Sequence, residues 1–66
     1  MKHKYNVGDV IIRYMHGTEG RINKYHQKVG IILEQVFLIK DPAYKVLLQG
    51  DNKILITSED FIKEKI

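Results

Sequence analysis

Arg13, Arg21, Lys24 and Lys28 bracket Tyr25, with His16 and His26 alongside. Basic groups of this kind neutralise phosphates, and an aromatic face can stack on a base. The charge balance along the chain points to the same region. Residues 1–28 hold six basic residues against Asp9 and Glu19, a net of +4, while residues 29–66 hold five lysines against six acids, a net of −1. Such asymmetry marks a surface that can meet an anion. The competing reading is a solvated loop whose Tyr25 packs inward to close the fold.

Other chemistry-bearing residues form weaker groupings. His3, His16 and His26 stand at spacings that match no metal motif, and no cysteine can join them. Glu59, Asp60 and Glu64 are carboxylates placed where a helical turn uses them for capping and for its dipole. Gly17-Thr18-Glu19-Gly20 lacks the Gly-Lys-Ser/Thr ending of a phosphate loop. A chain of 66 residues also has little room for an enclosed pocket of several hundred Å³. The expectation is a non-catalytic protein with no cofactor, no metal and no small-molecule substrate.

The elements that must position these residues read as strands. Val10-Ile11-Ile12-Arg13-Tyr14 is β-branched and aromatic and follows a Gly8-Asp9 turn. Residues 15–27 are mostly polar with two glycines and no sustained apolar period, which predicts a long loop. Within it, Ile22 and Tyr25 are spaced to tuck one side back onto the body through a helical turn. Val29 to Ile39 reads as a long strand that must bend, with Gly30 the place for close backbone approach. Lys40-Asp41-Pro42 should end it. Tyr44 to Gln49 and Lys53 to Thr57 are two further strands around a Gly50-Asp51-Asn52 hairpin turn. Thr57 with Asp60 resembles a capping box over a single turn at 58–60, followed by a short closing strand that removes sheet edges.

Sixty-six residues make one domain, spanning 1–66. Such a domain buries only about 60% of its unfolded surface, so partner burial can supply missing stability. No cysteine means no disulfide, which permits a reducing compartment. The opening "MKHKYNVGD" has no apolar stretch behind its lysines, and the apolar runs are too short to cross a bilayer as a helix. The expectation is a soluble, cytoplasmic protein with no membrane partner. Leu38-Ile39 and Leu47-Leu48 are adjacent apolar pairs. Neighbours on a strand face opposite ways, so one of each pair is a candidate for contact with a protein partner or a second copy.

The motifs "YNVGDVIIRY", "KVGIILEQV" and "YKVLLQGDNKILITSEDFI" resemble Tudor-like and KOW-like SH3 barrels. They are most similar to small SH3-like proteins of tailed bacteriophages. The resemblance covers roughly Tyr5 to Ile66. It implies an all-β fold: a single SH3-like small barrel of about five strands, with a long first loop and one helical turn before the last strand. It also implies a host-cytoplasm or virion setting. An aromatic cage of the methyl-lysine-reading kind is not carried over, since the chain has no tryptophan. The expected function is an interaction module docking to a protein or virion partner through the 15–28 loop and an adjacent strand edge. The alternative is a nucleic-acid binder using Arg13, Arg21, Lys24 and Lys28 on phosphate and Tyr25 on a base.

Overall fold

A computed structural model describes residues 2–18 and 21–66. Five antiparallel strands form one sheet: β1 (Val10–His16), β2 (Ile22–Leu38), β3 (Asp41–Leu48), β4 (Ile54–Ser58) and β5 (Ile62–Lys65). A 3-10 turn at Glu59–Phe61 joins the last two. The sheet order is β4-β3-β2-β1-β5. Strand β2 is the spine, pairing with β1 along its first half and with β3 along its second. Ile31 faces Val10 on one side and Leu47 on the other.

The outer strands β4 and β5 are joined by only three residues, although they lie at opposite edges of the sheet. The chain from Ser58 to Ile62 reaches at most about 14 Å. Five strands laid flat would hold their outer members roughly 19 Å apart. The sheet must therefore curl, and its concave face becomes the core. It does not close, because no ladder joins β4 to β5. The expected last strand does form, but on β1, and both outer edges stay open.

The core follows the period-2 rule. Tyr44, Val46 and Leu48 of β3 are buried, whereas Lys45 and Leu47 between them are only half-buried. Ile11, Ile32, Ile62 and Tyr5 complete the cluster, with Met15 and Leu55 packed against it. Of the expected apolar pairs, Leu48 is thus core, while Leu38 and Ile39 are exposed. Gly30 sits opposite Ile11 and Leu48 in the tightest part of the curl. A Cβ there would lie 2.5 Å from Val46 Cγ1 and 3.1 Å from the Leu47 carbonyl oxygen, so the close approach expected at Gly30 is present. The bend in β2 falls slightly later, at an irregularity between Ile32 and Glu34.

Three local expectations are corrected. Lys40-Asp41-Pro42 does not end an extended segment: the turn is Ile39-Lys40, and Asp41 and Pro42 already belong to β3. Leu48 N donates to Lys53 O, so even-numbered β3 residues point their backbone groups toward β4. Pro42 lies one residue beyond the last β4 pair, Ala43 with Ser58, so its missing N–H costs no ladder bond. The 3-10 turn is capped by Ser58 without a side-chain bond, and Thr57 makes no capping box. Its hydroxyl accepts from Arg13 Nε instead, at 2.8 Å. The third correction concerns the region before Gly30 and is taken up below.

Candidate functional site

The expected loop of residues 15–28 is not a loop over its described residues, 15–18 and 21–28; Glu19 and Gly20 lie outside the described residues. Strand β1 runs on to His16 and β2 begins at Ile22, so the segment is a β-hairpin standing beyond the core. Its tip is held by Gly17 N donating to Arg21 O at 2.5 Å and Arg21 N donating to Thr18 O at 3.2 Å. The ladder pairs Tyr14 with Gln27 but Met15 with Asn23. Lys24, Tyr25 and His26 are therefore extra residues, thrown out of the ladder as a wide bulge. Asn23 Oδ1 accepts from Tyr25 N at 3.0 Å, and Gln27 Nε2 donates to Lys24 O at 3.0 Å, which pins the bulge at both ends. The expected helical turn through Ile22 and Tyr25 is absent, and Tyr25 does not tuck inward: its side chain is 100% exposed.

The five residues singled out for binding separate into two groups. Arg21, Lys24 and Tyr25 stay together at the hairpin, lining an open concavity of about 430 Å³ with Gly17, Thr18, Ile22 and Asn23. Arg13 and Lys28 are engaged elsewhere. Arg13 is 1% exposed. Its Nε donates to Thr57, its Nη1 donates to Tyr14 O at 3.0 Å and contacts Met15 Sδ at 3.1 Å, and its guanidinium lies 5.1 Å from the Phe61 ring centre. Burial lowers the Arg13 pKa below its ordinary value. Among the described residues no carboxylate forms an ion pair with it. It braces the end of the core rather than facing outward. Lys28 is ion-paired with Asp51 of the β3–β4 turn, and this partner holds the Asp51 carboxyl below its usual range.

Sequence reasoning missed a second network, at the opposite end of the chain. Tyr44 Oη accepts from the backbone amides of Lys4 at 3.0 Å and Tyr5 at 3.1 Å, and donates to Glu59 Oε2 at 2.5 Å. Glu59 Oε2 also accepts from Lys4 N at 3.1 Å. Burial, then the bond to Glu59, pushes the Tyr44 hydroxyl up to about 12. His3 Nε2 lies 2.7 Å from Val36 O and 3.1 Å from Ala43 O, so that nitrogen carries the proton. The His3 ring meets Phe37 and Tyr44 edge-on. This cluster clamps the N-terminal segment across the sheet. No local sequence signal joins Tyr44, Glu59 and the N-terminal segment.

A second open concavity, of about 420 Å³, lies between β1, β2 and the β3–β4 turn, lined mainly by Val10, Val29, Ile31 and Leu47. Both concavities are open to solvent rather than enclosed. His16 lies at the hairpin with its ring 4.6 Å from Phe61, and His26 is in the bulge. Among the described residues no three His, Asp or Glu side chains gather as metal ligands, and no helix is long and apolar enough to cross a membrane. Comparison with protein-family models, with curated proteins and with solved structures finds no match.

Proposed function

We propose that this chain is a non-catalytic, SH3-like interaction module that docks to a protein partner through the β1–β2 hairpin. The observation that carries the reading is Tyr25, fully exposed on a bulge pinned at both ends. Tyrosine and arginine are enriched among residues that dominate binding energy, and tyrosine brings a large contact area at low entropic cost. Arg21 and Lys24 beside it favour an acidic partner surface. The strand edge at hand is that of β1 beyond Arg13, since β5 pairs only with Ile11, Ile12 and Arg13. The sheet order, the curl and the turn before β5 support the SH3-like part of the reading, and the motif resemblance supports a phage protein acting in the virion or the host cytoplasm.

The test is capture of partner proteins by the tagged chain, compared among variants and scored by mass. Tyr25→Ala and Arg21→Ala should lose a partner that wild type retains, while the distant Ile54→Ser keeps it. Capture unchanged by Tyr25→Ala overturns the reading. A second reading, single-stranded nucleic acid, is favoured by the placing of Tyr25 beside Arg21 and Lys24 around one concavity. With Arg13 buried and Lys28 paired, only about two phosphate contacts remain. Binding of an oligothymidylate probe should then fall with salt at a log–log slope near −1.4, about −0.7 per contact on a single strand. Lys24→Ala should roughly halve that slope, and no binding at low salt removes this reading.

A further inference from the structure

Strand β4 is an open edge of unusual composition. Among the described residues no strand neighbours its outer side. Ile54 is 57% exposed and Ile56 47%. Natural sheets protect such edges with charges, proline or bulges, but between Lys53 and Glu59 this one has no charged residue.

The backbone groups offered at this edge follow from the pairing. Leu48 N donates to Lys53 O, so in the β3–β4 ladder Lys53, Leu55 and Thr57 spend their backbone groups on β3. Ile54, Ile56 and Ser58 point theirs outward. A second strand laid antiparallel against this edge must therefore match these three even-numbered positions. For a second copy of β4 itself, one register uses all of them. Ile56 lies opposite Ile56 of the second copy, and Ile54 opposite Ser58 of the second copy. Each such pair exchanges two N–H···O bonds. The same register sets Lys53 opposite Glu59 of the second copy, an opposite-charge pair repeated by symmetry. Within the described residues the hydrogen bonds of Glu59 run through Oε2, which leaves Oε1 as the oxygen for that lysine. Slipping the register by two residues, to put Leu55 on the axis, leaves Ser58 without an outward partner and sets Asp51 against Glu59. That alternative brings like charges together.

We propose that two copies of this chain associate through their β4 edges, antiparallel and centred on Ile56, to give one continuous sheet with an isologous two-fold interface. Ile54 and Ile56 of both copies then form one apolar patch across the joint. The proposal goes beyond the hairpin reading, shares no residue with it and stands or falls separately. An edge joint of this length buries less than the standard ~1,600 Å² interface, so dimerisation is concentration-dependent.

Because the chain has no cysteine, single cysteines report the register directly. Sedimentation equilibrium from ~10 μM to ~1 mM should show a monomer–dimer exchange, a range suited to weak association. Ile56→Cys should oxidise to a covalent dimer about tenfold faster than Ile54→Cys, since only position 56 meets itself within disulfide reach. Ile56→Lys should abolish the dimer while its amide spectrum stays folded. A monomer across the whole concentration range overturns the proposal. So do equal cross-linking rates at positions 54 and 56.

Discussion

Strands β1 and β2 pass through two regions that differ in everything but backbone conformation. In the body, Ile11 and Ile32 are buried against β3, and Gly30 is so close to it that no side chain fits. In the hairpin, residues 24–27 of β2 are all exposed. β1 stays paired with β2 through both, with the register shifted at the bulge between Tyr14 and Met15. Ladder hydrogen bonds alone thus specify extension, and burial of one face specifies the fold. A region that contributes no core can change its side chains freely, which suits a contact surface. The body has no such freedom, and a chain of this length has only roughly 3–10 kcal/mol of stability to lose.

The largest test of that contrast is Gly30→Val. The new Cβ would meet Val46 Cγ1 at 2.5 Å, forcing that buried side chain out of its place in the core, and the Leu47 carbonyl at 3.1 Å, which gives only if β3 moves. The expected loss is about 3 kcal/mol or more, enough to populate the unfolded chain in a urea titration at 25 °C. Retention of wild-type stability would mean that the curl of the sheet is looser than described.

Tyr44→Phe comes next. It removes the acceptor for two backbone amides and the donor to Glu59, at a cost of about 2 kcal/mol. The pH dependence gives an independent check. The Tyr44 hydroxyl stays protonated in the folded state up to about 12, against 10.0 in the unfolded chain. Its contribution is fully present below pH 10 and is lost as pH rises through about 12, because there the unfolded state binds fewer protons. The drop should be roughly 2–3 kcal/mol at 1.36 per pKa unit, and Tyr44→Phe should remove that step from the stability–pH curve.

How much of this was legible in the sequence follows from where the signal comes from. Val10 to Tyr14, Tyr44 to Leu48 and Ile54 to Thr57 bury one face, and burial writes the β-branched and alternating patterns that reveal a strand. Gly30 and the Gly50 turn were legible because close approach and positive φ leave few residue choices, with Gly50 at φ 94° and Asn52 at φ 52°. The hairpin was not legible, since with both faces in water its polar residues carry no period and read as loop. Arg13 was misplaced because a charge is rarely buried without a carboxylate. Nothing local in sequence says that Thr57, Tyr14 and Phe61 converge on it.

The β2–β3 turn supplies a gain rather than a loss. Ile39 adopts φ 61° and is 98% exposed, with Phe37 and Leu38 beside it also exposed. A β-branched residue in the left-handed region costs about 1–2 kcal/mol. Ile39→Gly relieves that strain and loses no packing, although the freer unfolded chain offsets part of the benefit. The net expectation is a gain of about 0.5–1 kcal/mol, a rise in Tm of some 2–8 °C for a domain this size. An unchanged or lower Tm would show that the Ile39 side chain makes contacts its exposure does not reveal.

The smallest expected effect decides the comparison. Tyr25→Ala removes the largest side chain in the hairpin, yet the residue is fully exposed and lies outside the ladder. Stability should change by no more than about 0.5 kcal/mol, within the usual range for surface substitutions. Arg13→Ala, twelve positions earlier in the same basic run, should cost about 2 kcal/mol or more, because it leaves a cavity and an unpaired Thr57 hydroxyl. Two residues of one expected binding patch then part by their effects: Arg13→Ala moves the unfolding midpoint and Tyr25→Ala does not. If Tyr25→Ala destabilised as much as Arg13→Ala, the hairpin would be part of the folding unit, and its exposure could no longer be read as availability for a partner.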